Sequence, residues 1–401
     1  MQQLREGESV RIAIIAHALR AGGGVSVGMN LIRSFSRVAP ENSYLFILPA
    51  HVGYENLNLT SFGNRIEYFE MNAGYLGRLV FDELRLPRLI REFLPDVVLG
   101  LGNRGMTAPP CTQAVFCQDA HLFYAWKHFG KETWFNYAAN AYKKWIFRRS
   151  LRHTALLLCQ TPIAEIRLKQ IYKYNGKTAL LPNAVSLDSL AGDRVLGKPA
   201  VLNGADHALK LFCLTRYYSH KNLETIVEMF VRFRQELRDV LVILTIAADD
   251  HPNARSLLCS IDTHQLAQNI FNVGPLKQEE ISGYYRHCSA LFLPTLLESF
   301  TATYLEAMQF ACPILTSDLD FAHQICGDAA MYFNPWNISH MKDVILEFKN
   351  RPELASHMVE RGSKQIRCTY QTWDSVALQT CEDLRDSVST QSRAPHTDVT
   401  R

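Results

Sequence analysis

The sequence predicts an α/β protein made of two successive βα series, and three observations carry that reading. Short, continuous apolar runs recur along the chain: RIAIIA (11–16), YLFILP (44–49), DVVLGL (96–101), AVFC (114–117), ALLLC (155–159), LKLFCL (209–214), VLVILTI (240–246) and ALFLP (290–294). Runs without polar alternation suit parallel strands covered by helices on both faces. Stretches of helical spacing, such as Val25 to Ser36 and Asn222 to Arg234, lie between them and supply the crossovers. Between Pro182 and Leu209 a segment rich in Gly, Asp and Ala, SLDSLAGDRVLGKPAVLNGADHA, ends one series before the next begins, which places a domain boundary there.

In order, these signals predict an N-terminal domain over 1–190 and a C-terminal domain over 205–370. A closing helix is predicted over 371–388, from about Thr372, and a flexible tail over 389–401, where STQSRAPHTDVTR offers too little apolar surface to pack.

The 401 residues exceed one ordinary domain, and 47% apolar with 20% charged residues excludes a disordered or collagenous chain. A net charge of +3 is too small to imply a nucleic-acid partner. The ten cysteines never form Cys-x-x-Cys, so neither a zinc knuckle nor a small disulfide scaffold is indicated, and a reducing cytoplasm fits best. The start, MQQLREGESV, lacks a long apolar stretch, and Ile12 to Ala16 falls far short of the ~20 residues of a membrane helix. A cytoplasmic location is therefore expected, which leaves the sequons at Asn58 and Asn337 without a role.

Ala21-Gly22-Gly23-Gly24-Val25 joins the first strand to its helix, so residues without Cβ stand where backbone amides can approach an oxygen-rich ligand; a tight turn alone would explain them equally. A formal Gly-x-Gly-x-x-Gly at Gly100, Gly102 and Gly105 follows the run 96–101. The next residues, Met-Thr-Ala-Pro-Pro, cannot open the helix that a dinucleotide site needs.

The richest segment runs from Pro294 to Leu315. A strand ends at Pro294, a loop carries Glu298, and a helix beginning near Thr301 presents Glu306 about a turn and a half later. Free amides at a helix start attract phosphate, and carboxylates accept from sugar hydroxyls, although one such acid alone would be ascribed to the helix dipole.

Glu298 and Glu306 with seven residues between them, then Ala307-Met308 and a Pro313-Ile314 step into a strand, resemble the signature of the retaining glycosyltransferases of family four, which have the GT-B fold: α/β, two Rossmann-like domains facing across a cleft. Thr215 to Asn222 looks like the family's Arg and Lys phosphate clamp, and Leu181-Pro182-Asn183-Ala184-Val185 its hinge. Asn272-Val273-Gly274 looks like its nucleotide-binding Gly loop, and Gly327-Asp328-Ala329-Ala330 its strand-returning loop.

The resemblance implies that Arg216 and Lys221 bind the donor diphosphate, Glu306 the ribose hydroxyls and Glu298 the transferred sugar. It also implies that Asn183, Gly274 and the amides of Gly23, Gly24, Phe300, Thr301 and Ala302 line the pocket. Two cations and a helix N-terminus then stabilise the departing diphosphate without a metal or cofactor. The partners implied are a nucleotide-diphosphate sugar as co-substrate, GDP-mannose first, and a glycan or polyprenyl-linked acceptor of surface polysaccharide assembly.

The chain departs from the family in four places. Thr301 stands where Gly is usual, and Gln324 replaces a Glu. Ala311 and Cys312, in a usual Gly neighbourhood, read as packing changes. Gln118-Asp119 replaces a His-Asp pair, which makes His121 the candidate acceptor-side catalytic residue, against a structural role. Asp318-Leu319-Asp320 spells a metal-binding Asp-x-Asp, but the resemblance puts it in a loop after a strand, so no metal is expected.

Trp126 to His153 holds seven cationic residues against the single acid Glu132, a net +6 that leaves −3 for the rest of the chain. Lys144, Arg148 and Arg152 form one helical stripe, and Trp134, Ala138, Ala141, Tyr142 and Trp145 another. Such a face suits an anionic membrane surface at the inner side of the plasma membrane; the plain alternative buries the tryptophans and solvates the cations. Two other functions remain open: a sugar-nucleotide epimerase of the same fold, and a catalytically silent nucleotide- or lipid-binding subunit.

Overall fold

The computed structural model describes residues 9–59, 64–70, 77–78, 80–130, 134–184, 197–203 and 209–391. Most of the boundary segment between Pro182 and Leu209, Val185 of the hinge-like segment, Lys131 and Glu132, and the tail from 392 lie outside the described residues. The chain divides into two compact units. Unit 1 comprises 1–123, 135–184 and 371–401; unit 2 comprises 124–134 and 185–370.

Unit 1 is built on an all-parallel sheet. Its strands are β1 (Arg11–Ile15), β2 (Ser43–Pro49), β3 (Arg65–Phe69), β4 (Val97–Gly100), β5 (Thr112–Cys117), β6 (Leu156–Cys159) and β7 (Lys177–Leu180), in the order β3-β2-β1-β4-β5-β6-β7. Register follows the apolar runs, with Ile12 opposite both Tyr44 and Val97. The crossovers are α1 (Gly23–Val38), α2 (Leu86–Phe93), preceded by one π-helical turn at Phe81–Arg85, α3 (Trp134–Leu151) and α4 (Pro162–Tyr172). Val27, Leu31, Ile32 and Phe35 of α1 pack on one face of the sheet, and Leu86, Leu89, Ile90 and Phe93 of α2 belong to the core on the other.

Unit 2 repeats the plan. Its strands are β8 (Leu209–Cys213), β9 (Val240–Leu244), β10 (Ile270–Asn272), β11 (Ala290–Leu293), β12 (Ile314–Ser317) and β13 (Ala330–Phe333), parallel in the order β10-β9-β8-β11-β12-β13. The helices are α5 (Glu224–Arg232), α6 (Pro252–Thr263), α7 (Gln278–His287), α8 (Ala302–Gln309), α9 (Asp320–Cys326), α10 (Ile338–Asn350) and α11 (Glu353–Thr369). The last helix, α12 (Trp373–Gln391), belongs to unit 1, where Trp373, Val376, Ala377, Cys381 and Leu384 join the core of β1, β2 and α1. Arg37 of α1 pairs with Asp374 at 2.6 Å.

The described residues contain no helix long and apolar enough to cross a membrane. In each sheet one adjacent pair, β1/β4 and β8/β11, is distant in sequence. Connections leave such a pair on opposite faces and open a crevice at the carboxyl ends, where ligands of this fold class bind.

Candidate functional site

In unit 2 the carboxyl ends of β8 and β11 bring together residues that are far apart in sequence. The Thr245 hydroxyl accepts from the Thr215 amide at 3.0 Å and lies 2.9 Å from its carbonyl, which fixes the start of the loop after β8. Arg216 follows, half exposed, with Nη2 3.4 Å from Asp250 Oδ1. A 3₁₀ turn spans Ser219–Lys221, and Asn222 closes it in the left-handed region at φ 58°, where Asn is favoured. The Asn222 side chain donates to the Pro335 carbonyl at 2.9 Å.

The carbonyl of His220 accepts from the Leu296 amide at 2.7 Å, so the loops after β8 and β11 are joined by backbone. That junction sets Lys221 against Glu298: Nζ donates to Oε1, and the two side chains are only 16% and 13% exposed. A lysine and a carboxylate this enclosed stabilise each other's charge.

Helix α8 begins four residues after Glu298. Thr301 caps it with φ −85°, a conformation open to any residue, so replacing the family's Gly imposes no backbone strain. The Thr301 hydroxyl is buried and has no hydrogen-bond partner, and the first turn of α8 carries neither a capping side chain nor an acidic residue. The Tyr304 amide turns back to the Thr301 carbonyl at 3.2 Å, which leaves the donor capacity of this helix start to the amides before it. Phe300 packs edge-on against Tyr370 at 5.9 Å between ring centres. Glu306 is enclosed and accepts from the Tyr285 hydroxyl at 3.1 Å; burial pushes its carboxyl pKa up, and Tyr285 opposes this. Gly274 adopts φ 75°, and a methyl added there would meet no atom within 4 Å, so backbone conformation rather than crowding calls for glycine.

In unit 1, α1 starts at Gly23, and Gly22 holds φ 62°, ψ −153°, a region essentially confined to glycine. A methyl at Gly23 would meet nothing within 4 Å, and one at Gly24 would make ordinary contact with Leu19 at 3.4 Å. Of the three glycines, the backbone requires Gly22.

Asn103 Oδ1 accepts from the amides of Gln118 and Asp119 at 2.6 and 2.8 Å. Asp119 in turn lies 2.8 Å from His121 Nδ1 and 3.4 Å from Lys143 Nζ. Burial works against the Asp119 carboxylate, but the His121 bond and Lys143 outweigh it and hold the pKa well below the usual range. The pair His121-Asp119 is thus assembled in reversed order around a three-residue turn. Asn183 is buried and accepts from Gln160 at 2.9 Å.

The candidate residues fall on both units: Gly23, Gly24, His121 and Asn183 on unit 1, and Arg216, Lys221, Gly274, Glu298, Phe300, Thr301, Ala302 and Glu306 on unit 2. Tyr285 and Asp250, the partners of Glu306 and Arg216, had no signal in the sequence. Each comes from another βα unit and carries no local motif.

Asp318 and Asp320 diverge, the first to His323 Nε2 at 2.6 Å and the second to the Tyr124 hydroxyl at 2.8 Å. Asp320 begins α9, so the expected loop is cut short by a helix. The basic segment is divided: of its described residues, 126–130 and Trp134 belong to unit 2, and the rest of α3 to unit 1. Trp134, Tyr142 and Trp145 are 80%, 56% and 55% exposed, while Phe147, Ser150 and Leu151 face the core. Of the cationic stripe, Arg148 donates to the Ile171 carbonyl at 3.3 Å.

Residues 199–365 match the sequence profile described as glycosyl transferases group 1. The chain is 23% identical over 296 residues to the alpha-monoglucosyldiacylglycerol synthase of Acholeplasma laidlawii, covering 69% of this chain and 72% of that one. Among solved structures, sucrose-phosphate synthase from Thermosynechococcus elongatus superposes with TM-score 0.72 at 14% identity, over 95% of this chain and 100% of the other. HepE from Anabaena, in complex with UDP and glucose, gives 0.70 at 13%, over 94% and 100%. Residues 199–365, which carry Arg216, Lys221, Glu298 and Glu306, match the glycosyl transferases of group 1, and the chain has the GT-B fold of two Rossmann-like units.

Proposed function

We propose that the chain transfers a hexose, with retention of configuration, from a nucleotide-diphosphate sugar to a glycan or polyprenyl-linked acceptor of surface polysaccharide assembly. The observation that carries this is the Lys221–Glu298 pair at the β8/β11 crevice, beside an α8 N-terminus that has no capping side chain and whose Thr301 hydroxyl is unspent. Arg216, Lys221 and that N-terminus hold the donor diphosphate, Glu306 the ribose hydroxyls and Glu298 the sugar. Phe300, Ala302 and Gly274 shape the donor pocket on unit 2; on unit 1, Gly23, Gly24 and Asn183 are assigned to nucleotide-sugar binding and His121 to the acceptor.

As the anomeric bond breaks, charge builds on the diphosphate next to Arg216 and Lys221, where preorganised donors stabilise it most. The acceptor hydroxyl attacks from the same face and its proton passes to the departing diphosphate, so no protein nucleophile is used.

GDP-mannose remains the first donor to test. A relative named for glucosyl transfer and a fold neighbour holding UDP and glucose put UDP-glucose beside it. Calorimetry with UDP, GDP and their sugars tests the proposal: a donor should bind and yield free or transferred sugar, and absence of any nucleotide-diphosphate binding would favour a silent subunit. Release of epimerised sugar without acceptor would favour an epimerase. EDTA should leave turnover unchanged.

The exposed Trp134, Tyr142 and Trp145 next to Lys144, Arg149 and Arg152 support a further part of the proposal, that the enzyme works in the cytoplasm as a peripheral protein on anionic membrane. Replacing Lys144, Arg148 and Arg152 by Gln should release it from anionic vesicles; unchanged binding would remove this part.

A further inference from the structure

Unit 1 encloses a cavity of about 230 Å³ whose walls come from the end of β1, the π-helical turn with the start of α2, and the loop after β4. It therefore occupies the β1/β4 crevice, the counterpart in this sheet of the β8/β11 crevice in the other. Three guanidinium side chains, Arg78, Arg91 and Arg104, line it against two carboxylates, Asp82 and Glu83.

The charges are unevenly matched. Asp82, only 2% exposed, is shared: its Oδ1 lies 2.8 Å from His17 Nε2, and its Oδ2 lies 2.9 Å from Arg104 Nη2 and 3.6 Å from Arg78 Nε. One carboxylate thus serves two guanidiniums and an imidazole, and Arg78 Nε has no hydrogen-bond partner. Burial lowers the Arg78 pKa; Asp82 opposes this, while Arg104 and Arg20 add to it. His17 lines the cavity at 5% exposure, and its Nδ1 has no partner. Burial lowers the His17 pKa ahead of the opposing pull of Asp82. The neutral ring gives its Nε2 proton to Asp82 and keeps a lone pair on Nδ1.

The Gly-x-Gly-x-x-Gly that fails as a dinucleotide fingerprint explains how Arg104 gets there. A methyl at Gly100 would stand 2.4 Å from the Arg104 carbonyl, one at Gly102 2.8 Å from Ala18 Cβ, and one at Gly105 2.5 Å from the Gln113 side chain. No side chain fits at any of them, so the loop folds back on itself. The Gln113 amide pins it by accepting from the Met106 N–H at 2.6 Å and donating to its carbonyl at 3.2 Å. The glycines thus deliver a guanidinium to the strand ends instead of a helix N-terminus.

Clustered, partly buried guanidiniums that share one carboxylate leave room for a second anion, and phosphate suits their forked geometry. The cavity is smaller than the roughly 300–1,000 Å³ that encloses a whole drug-sized ligand, so it fits a head group. We propose that this cavity holds the phosphate of a phosphate-bearing acceptor, with Arg78 and Arg104 on its oxygens and His17 Nδ1 accepting from a neighbouring hydroxyl. This rests on the transferase reading and adds the class of acceptor. The phosphate is that of a lipid head group or of a soluble sugar phosphate.

Calorimetry on the full chain, with UDP and GDP in excess to occupy the donor site, tests this with glycerol 3-phosphate, inorganic phosphate and glucuronate. Glycerol 3-phosphate should bind, at least 10-fold more weakly to Arg78→Gln and Arg104→Gln, while both variants keep their nucleotide affinity. Where the glutamine variants do not fold, Arg104→Lys, which keeps the charge but loses the fork, should weaken binding several-fold. Flotation with phosphatidic acid vesicles separates the sources: Arg104-dependent flotation assigns a lipid, and its absence beside intact glycerol 3-phosphate binding assigns a soluble phosphate. No phosphate binding, equal or tighter glucuronate binding, or binding that survives the substitutions overturns the proposal. Arg104-dependent phosphate binding in a chain that binds no nucleotide would overturn the acceptor role and the transferase reading, leaving an anion site.

Discussion

Lys221 and Glu298, 77 residues apart, form an ion pair at the point where the second sheet reverses its strand order. The pair couples the two loops that would hold a leaving group and a sugar. Lys221→Ala should lower kcat about 10²-fold or more, the scale of a lost preorganised donor, and raise the Kd for the nucleoside diphosphate. Steady-state kinetics and calorimetry check both, and a variant with near wild-type kcat would remove Lys221 from the machinery.

Glu306 titrates in an enclosed place, and its raised pKa fixes a sign. Between about pH 4.3, where a free glutamate titrates, and its own higher pKa, the folded state binds more protons than the unfolded one. Stability contributed by this group is therefore lost as pH rises through that window. Glu306→Gln should unfold at higher denaturant concentration than wild type at pH 7–8, with the two converging toward pH 4, and should bind the donor nucleotide more weakly.

The glycines before α1 separate structural from ligand effects. Gly22→Ala should cost about 1–3 kcal/mol, since φ 62°, ψ −153° excludes a side chain. Gly23→Ala, with open space at its Cβ, should leave the denaturation midpoint within error. If Gly23 approaches a ligand closely, the same alanine should weaken binding without touching stability.

Ala311 corrects an expectation of simple repacking. It sits at φ 55°, in the left-handed region, on the turn from α8 to β12. The position is a backbone constraint that a methyl group fits badly, so Ala311→Gly should stabilise the protein by about 1 kcal/mol, read as a small rise in Tm. No gain would mean that the turn has adjusted around the alanine.

The central strands were legible because they are buried on both faces. RIAII, VVLG and ALFL read as uniform apolar runs. Arg65–Phe69, Lys177–Leu180 and Ile270–Asn272 did not, because β3, β7 and β10 are edge strands, only partly buried, and polar residues interrupt or shorten their apolar runs. The same division holds at the site. Glu298, Glu306, Arg216 and Lys221 stand in local patterns that a sequence displays. Tyr285 beneath Glu306, and Asp82 between His17 and Arg104, are set by sheet order, which no window of residues contains. Gly100, Gly102 and Gly105 were visible as a motif, but its use, holding Arg104 in place, depended on Gln113 in the next strand.

The assignment of α12 to unit 1 has a consequence for synthesis on the ribosome. Residues 1–184 emerge first, yet Val10, Ile12 and Tyr44 await Val376, Cys381 and Leu384 from the far end of the chain. The stretch 185–370, by contrast, is continuous and available as soon as it is translated. Unit 2 is thus positioned to finish folding before unit 1 closes its core, and a ribosome halted near residue 370 would leave an apolar face of the first sheet open to chaperones.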